Sequence, residues 1–436
     1  MTRIVVGSSL AALVAVNVLS RKGPVTWVKT NPYVGGHFAG IKHKNLLLDL
    51  GMVLLEPFSN GDGEDFSKNE VPLKQSGLKH VGRIFSWLNE KGEIFLPVDI
   101  QAKVNGSFYN DYLIADNLDF LRGLSDDEKS IIVGQISQII DSPRVPHPRL
   151  KNIDKKFLDM DLSFVQRNTV GDHFFTNYVN SWLKRVNSSI GENLCARDHR
   201  LAWIPFYFPE TITEALLRSG SSCLESRPFW VPAEDTIAGL VQKIQSNLNI
   251  ENVDFSDFSA DLLDSRNEIY FFTSVKDTAQ LLDIKLEDSP SQLLPVSLVI
   301  VTLMFSTSLG NEKVVNVIED EIGPYRYTLR NLRADNLVTV ISIEFGEEFK
   351  DFDDESIVKL GSEFISKEGF QSDYVSAVVS RPIIRLPYGD SRVVAEANRD
   401  LVYHHLQNYD YLGYPIDFGS SSFNDQMLLA LWSTNE

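Results

Sequence analysis

Gly7-Ser8-Ser9-Leu10-Ala11 follows a short β-branched run, Ile4-Val5-Val6, and leads into an apolar stretch rich in small residues. A tight turn at the head of a helix points backbone N–H groups at one place, where the helix dipole favours negative charge. A diphosphate is the group such a turn suits. Gly7 supplies the turn. Ser9 stands where dinucleotide-binding turns commonly carry a second glycine, and Ala12 lets helix and strand pack closely. Any α/β protein can contain a similar strand-to-helix turn, so the surrounding elements decide.

Those elements read strand, helix, strand. Arg3 to Val6 forms the first strand, and Leu10 to about Ser20 forms the helix, stopped by Lys22-Gly23-Pro24. Thr26-Trp27-Val28 is rich in β-formers. This order gives a parallel pair joined by a right-handed crossover. Leu10 to Leu19 could pass for the core of a secretion signal, but it is too short to span a bilayer and no small-residue cleavage pattern follows. The βαβ unit is the better reading.

Beyond it come Gly35-Gly36, a short strand at Leu46 to Leu48, Asp49-Leu50-Gly51, and a polar loop over 59–70. From about 76 to 215 the chain reads as mostly helical. Ser125-Asp126-Asp127-Glu128 is a helix start leading to Ile140, and Phe174 to Val186 carries Phe175, Tyr178, Trp182 and Leu183 on one side. A helix spans Thr236 to Asn247, followed by a β-like stretch around Val253. Strand-rich sequence fills 268–346, a helix spans Glu355 to Lys367, a strand Tyr374 to Val379, and a last helix Asn424 to Trp432.

The chain has 436 residues, which favours two domains or lobes. Its 59 acidic against 41 basic residues, net charge −18, exclude a general nucleic-acid partner, which would demand a basic footprint. Cys195 and Cys223 are the only cysteines, too few for a disulfide scaffold, so a cytoplasmic location and no membrane partner are expected. Neither cysteine shows metal spacing, and adjacent His404-His405 would diverge on a helix, so no metal is expected.

Gly7 to Leu13, Tyr33-Val34-Gly35-Gly36-His37 and Asp49-Leu50-Gly51 together resemble the opening of the FAD-binding amine oxidase, protoporphyrinogen oxidase and UDP-galactopyranose mutase superfamily. Phe206 to Glu210 and Phe229 to Pro232 are similar to two Pro-containing segments of that group. The stretch at Val253 resembles the strand passing the adenine side of FAD, and Ser422-Phe423-Asn424-Asp425-Gln426 resembles the terminal loop and helix that meet the flavin. The resemblance implies FAD as cofactor, held by Gly7, Ser8, Ser9, Leu10, Ala11, Lys29, Thr30, Gly35, Gly36, His37, Gly51, Met52, Val253, Phe423, Asn424, Asp425 and Gln426. The family ends its second strand in an acid that holds the adenosine ribose; here that position is Lys29. Lysine cannot accept a hydrogen bond, so Thr30 or a backbone carbonyl takes the ribose, and Lys29 is free to meet a phosphate. The mutases carry a histidine in the segment that here reads Gly51-Met52-Val53-Leu54. A substrate domain with Arg330, Arg381 and Tyr388 holding a substrate is implied as well, guanidinium being suited to phosphate; a solvated strand face is the alternative for these arginines.

The expected fold class is α/β with an α+β second lobe: a Rossmann-like FAD-binding domain from 1–75, 215–265 and 390–436, and a substrate domain of helices and an antiparallel sheet from 76–214 and 266–389. The expected function is an FAD-dependent oxidoreductase, or a flavin-dependent mutase-like isomerase, acting on a small polar substrate or sugar nucleotide, as a possible homodimer. Catalytic residues are not assigned. The alternative is a degenerate, non-catalytic accessory subunit, since Ser9, Lys29 and Met52 depart from the family. An NAD-linked dehydrogenase is disfavoured by Gly35-Gly36 and by the return of the C-terminal segment.

Overall fold

The computed structural model describes residues 2–55, 81–104, 106–110, 119–140, 160–186, 194–196, 209–217, 229–233, 235–248, 250–254, 267–287, 293–318, 323–333, 337–370, 373–387, 390–416 and 422–435. It divides into two units, each assembled from separated segments: Met1–Leu96, Trp230–Gln292 and Gly389–Glu436, and Pro97–Phe229 with Leu293–Tyr388.

In the first unit, β1 (Arg3–Val6) and α1 (Leu10–Ser20) form with the limits the sequence suggests, and β2 (Val25–Lys29) extends one residue beyond Thr26–Val28 at each end. Every residue of α1 from Leu10 to Leu19 is buried, as an all-round apolar helix requires. β1 and β2 are parallel, with Val6 opposite Val28. Five strands lie in the order Leu412–Gly413, Glu268–Phe271, β1, β2, Glu251–Asp254, and all neighbours are parallel. Val5, Trp27 and Tyr270 face α1 and the helices Ile237–Ser246 and Phe423–Ser433. Ile4, Val6, Val28, Ile269 and Phe271 face the other way, with Leu406 of the helix Asp390–Asn408. Both faces are covered, the usual condition of a parallel sheet.

Glu268–Phe271, expected in the substrate domain, pairs instead with β1. A run of four residues shows no preference for either sheet; only pairing assigns it. From the Glu251–Asp254 side the strands run third, second, first, fourth, fifth in chain order, so the direction of build-up reverses at β1. Open α/β sheets bind ligands outside the carboxyl ends of the strands at such a reversal.

The second unit holds an antiparallel sheet in which Val299–Phe305 pairs with Leu337–Phe345, that strand with Arg326–Arg333, and that with Lys313–Ile318. Ser376–Ser380 adds an antiparallel edge. Phe95–Val104 runs parallel to Lys313–Ile318, so the sheet is not wholly antiparallel and 76–215 is less helical than expected. Val301, Tyr327, Leu329, Ile341 and Ile343 share a core with Ile357 and Ile365 of the helix Asp354–Lys367. The helix Asp126–Ile140 starts at a capping box: Glu128 N donates to Ser125 Oγ at 3.3 Å, and Ser125 N to Glu128 Oε2 at 3.2 Å. Phe174 to Val186 is one helical course broken by a π-turn, Phe175–Val179. The extra residue in that turn keeps Phe175, Tyr178, Trp182 and Leu183 all buried.

Candidate functional site

The bend between β1 and α1 lies at the reversal of strand order. Gly7 has φ 137°, and its N–H donates to Val28 O at 2.9 Å. A Cβ on Gly7 would stand 2.2 Å from Phe272 O. The neighbouring backbone therefore demands glycine here, and Gly7 supplies the turn as expected from the sequence. Ser8 Oγ donates to Asn31 O at 2.7 Å and accepts from Asn31 N at 2.8 Å. Ser9 caps α1: its Oγ accepts from Ala12 N at 3.1 Å and donates to Phe272 O at 2.7 Å. Leu10 N donates to Gln426 Oε1 at 3.0 Å. Among the described residues, the amide N–H groups of Ser8, Ser9 and Ala11 meet no acceptor. Ser8 and Ala11 are buried, and a buried amide without an acceptor is a costly thing to leave unmade.

Two further segments reach this bend. Gly35 N donates to Ser8 O at 2.7 Å. Gly35 has φ 98°, with no room for a Cβ beside Val241 Cγ1, whereas Gly36, at φ 60°, is exposed and has open space at that position. His37 is exposed, its ring 3.7 Å from that of Phe38. Phe38 meets Phe423 edge-on, centroids 5.5 Å apart. Phe423, Asn424, Asp425 and Gln426 form the first turn of the C-terminal helix and are buried, with Ser422 Oγ capping Asp425 N at 3.0 Å. The glycine pair, the C-terminal helix and the bend thus come together.

Asp49 does something else. Its carboxylate accepts from Ala238 N at 2.8 Å and Ile237 N at 3.2 Å, at the start of the helix Ile237–Ser246, where Thr236 Oγ1 accepts from Gly239 N at 2.9 Å. Negative charge is stabilising at that end of a helix. Gly51, φ 83°, and Met52 follow as buried residues.

At the end of β2, Lys29 Nζ lies 4.7 Å from the centre of the Trp27 ring, and Trp27 Nε1 donates to Gly7 O at 2.8 Å. Thr273 Oγ1 stands 3.2 Å from Thr30 Oγ1 and 3.2 Å from Asp277 Oδ2. Thr30 follows β2 and Thr273 follows Glu268–Phe271, the strands flanking β1, so their contact passes over the end of β1. Asn31, Thr273 and Asp277 were missed in the sequence. The signal was there for one of them: Ser274-x-x-Asp277 after a β-rich run is a helix-cap pattern, and Ser274 Oγ accepts from Asp277 N at 3.0 Å. Val253 sits opposite Val28 and packs on the face of the sheet away from α1.

The residues expected to hold substrate belong to the second unit and have partners of their own. Arg330 Nε is 3.5 Å from Glu312 Oε2, both side chains nearly buried. Burial pushes the Glu312 carboxyl up, against the pull of Arg330 and of Asn331. Arg326 Nε is 3.6 Å from Glu344 Oε1, and Tyr325 OH donates to Glu344 Oε2 at 2.7 Å. Burial, then the Glu344 charge, hold the Tyr325 hydroxyl well above its ordinary range. Arg381 pairs with Asp354 and donates to Phe352 O at 2.7 Å. Arg330 and Arg381, expected to hold substrate, each have a carboxylate partner within the fold. Tyr388 lies outside the described residues. No group of side chains among the described residues could hold a metal ion, and no described helix is long and apolar enough to cross a membrane.

A mixed α/β chain with a five-stranded parallel sheet, and a bend of amides that meet no described acceptor at its strand reversal, defines the class. Within that class the chain has the fold of UDP-galactopyranose mutase: the reduced enzyme's structure matches at 12% identity over 98% of this chain and 93% of that one, with TM-score 0.61. A CLA-producing fatty acid isomerase from P. acnes matches at 12% identity, 99% and 96% coverage and TM-score 0.50. A putrescine oxidase triple mutant matches at 8% identity, 93% and 99% coverage and TM-score 0.51. No family model and no curated protein matches the chain.

Proposed function

We propose that the chain is an FAD-dependent enzyme of the amine oxidase and UDP-galactopyranose mutase superfamily, built on a Rossmann-like domain and acting on a small polar substrate. The observation that carries this reading is the set of amides on Ser8, Ser9 and Ala11 at the strand reversal, which meet no acceptor among the described residues. The fold neighbours, a mutase, an isomerase and an oxidase, fall in the superfamily that the opening residues resemble. The donor set fits the diphosphate of FAD, because it offers hydrogen bonds and a positive helix end with no acid in the first turn of α1. Gly36 leaves the backbone approachable, and Gln426 fixes the C-terminal helix against α1. Bound FAD would supply the redox chemistry; the protein supplies binding, orientation and exclusion of water. A sugar nucleotide is the less favoured substrate, since Arg330 and Arg381 already hold carboxylates.

A second reading, a non-catalytic member of the fold, draws on the bonds that Gln426 and Ser9 make to Leu10 N and Ala12 N, and on the Thr30–Thr273 contact over β1. Absorption spectra of the purified protein, before and after incubation with FAD and removal of the excess, separate the two. A bound flavin band supports the first reading. A colourless protein that retains none supports the second.

A further inference from the structure

In dinucleotide-binding sheets the end of the second strand reads the adenosine ribose: an acid there accepts from the hydroxyls, and a cation nearby takes a phosphate on the ribose. Here β2 ends in Lys29. The register places it level with Gly7, since Val28 pairs with Val6. Its Nζ rests 4.7 Å from the Trp27 ring centre, and the same indole donates to Gly7 O. One aromatic ring thus separates the ammonium from the bend. Lys29 is half-buried and makes no ion pair among the described residues. The first turn of α1 carries no acid. Among the described residues no carboxylate meets this ammonium, and across the Trp27 ring from it stand amides that meet no described acceptor, a local positive site on a chain of net charge −18.

We propose that Lys29 is a phosphate-recognising cation of this site, and that the adenosine end of the dinucleotide is selected by phosphate charge rather than by the ribose hydroxyls. The inference rests on the dinucleotide reading above. Two sources supply the same chemistry: the bridging diphosphate of FAD, or a phosphate on the ribose, as in NADPH. Lysine on a flexible stem serves either as a point charge.

The test is binding of FAD, NADPH and NADH to the whole chain and to Lys29→Gln and Lys29→Arg, with melting curves to establish that all are folded. Lys29→Gln is expected to weaken binding about tenfold while Lys29→Arg largely retains it. The slope of log Kd against log salt should shrink by about one in Lys29→Gln. If NADPH binds more tightly than NADH and that difference vanishes in Lys29→Gln, the ribose phosphate is the group read. If FAD alone is weakened, it is the diphosphate. Wild type that binds NADPH through Lys29 but refuses FAD overturns the flavin reading and keeps this one. FAD bound equally, with equal salt slopes, by wild type and Lys29→Gln overturns this inference and leaves the flavin reading standing. A wild type that binds none of the three overturns both.

Discussion

Gly7 illustrates how one residue can satisfy two arguments for different reasons. Glycine after the first strand suggests a ligand's close approach, yet the nearest obstacle to a Cβ is the Phe272 carbonyl at 2.2 Å. Gly7→Ala is therefore expected to destabilise the fold itself, by about 3 kcal/mol or more given the clash and the strained backbone. Thermal melting without added ligand checks this; an unchanged melting temperature would return Gly7 to the ligand. Gln426 is the complementary case. Its Oε1 is the acceptor for the buried Leu10 N, so Gln426→Leu should cost about 1–3 kcal/mol. Urea unfolding would read it, and a cost near zero would mean that the bond to α1 is not what holds the C-terminal helix in place. Turn type and strand order could be read from residues 3–30 because glycine, proline and β-branched residues punctuate them locally. The Gln426 contact spans 416 positions, and no local pattern encodes it.

Elements formed where the sequence carries its own start and stop signals. Ser9, Ser125, Thr236, Asp353 and Ser422 all begin helices close to where side-chain caps suggest. The strand Leu46–Leu48 was recognised, but its antiparallel partner Ile41–His43 was not, because three residues of mixed polarity show no period. Phe95–Val104 was lost in a region read as helical for the same reason: its burial is irregular, with exposed and buried positions out of strict alternation. Asp353 offers a test by pH. Its carboxylate accepts from Ser356 N at 2.8 Å, and that backbone bond, then the Ser356 hydroxyl, hold its pKa below the ordinary value. A carboxyl with a depressed folded pKa adds stability above its unfolded pKa and loses it as pH falls through the folded one. Melting curves from pH 7 to pH 2 should therefore show wild type losing ground to Asp353→Asn below about pH 4. Parallel curves across that range would contradict the cap's part in acid sensitivity.

At the scale of the molecule, the first unit depends on the two ends and the middle of the chain meeting in one sheet. β1 borrows Glu268–Phe271 on one side and β2 on the other, while α1 lies against the C-terminal helix. Composition and helix periodicity cannot reveal such closure; the resemblance of both ends to one family was the only hint in the sequence. Its energetic consequence can be stated. Phe423, Met427, Leu428, Ala430 and Leu431 are buried in the same core as Leu10 to Leu19, and each large side chain contributes about 1.5–3 kcal/mol by burial. Their sum rivals the about 5–15 kcal/mol by which whole domains are stable. A chain ending at Ser422 is thus expected to lose the first unit's cooperative unfolding transition, with α1 opened to protease. The second unit has its own core around Leu303, Tyr327, Ile343 and Ile357 and should keep its strand signal by circular dichroism. Limited proteolysis followed by mass spectrometry locates the first cuts. Cuts confined to the second unit, or a melting temperature equal to that of the full chain, would show that the C-terminal helix is not what closes the parallel sheet's core.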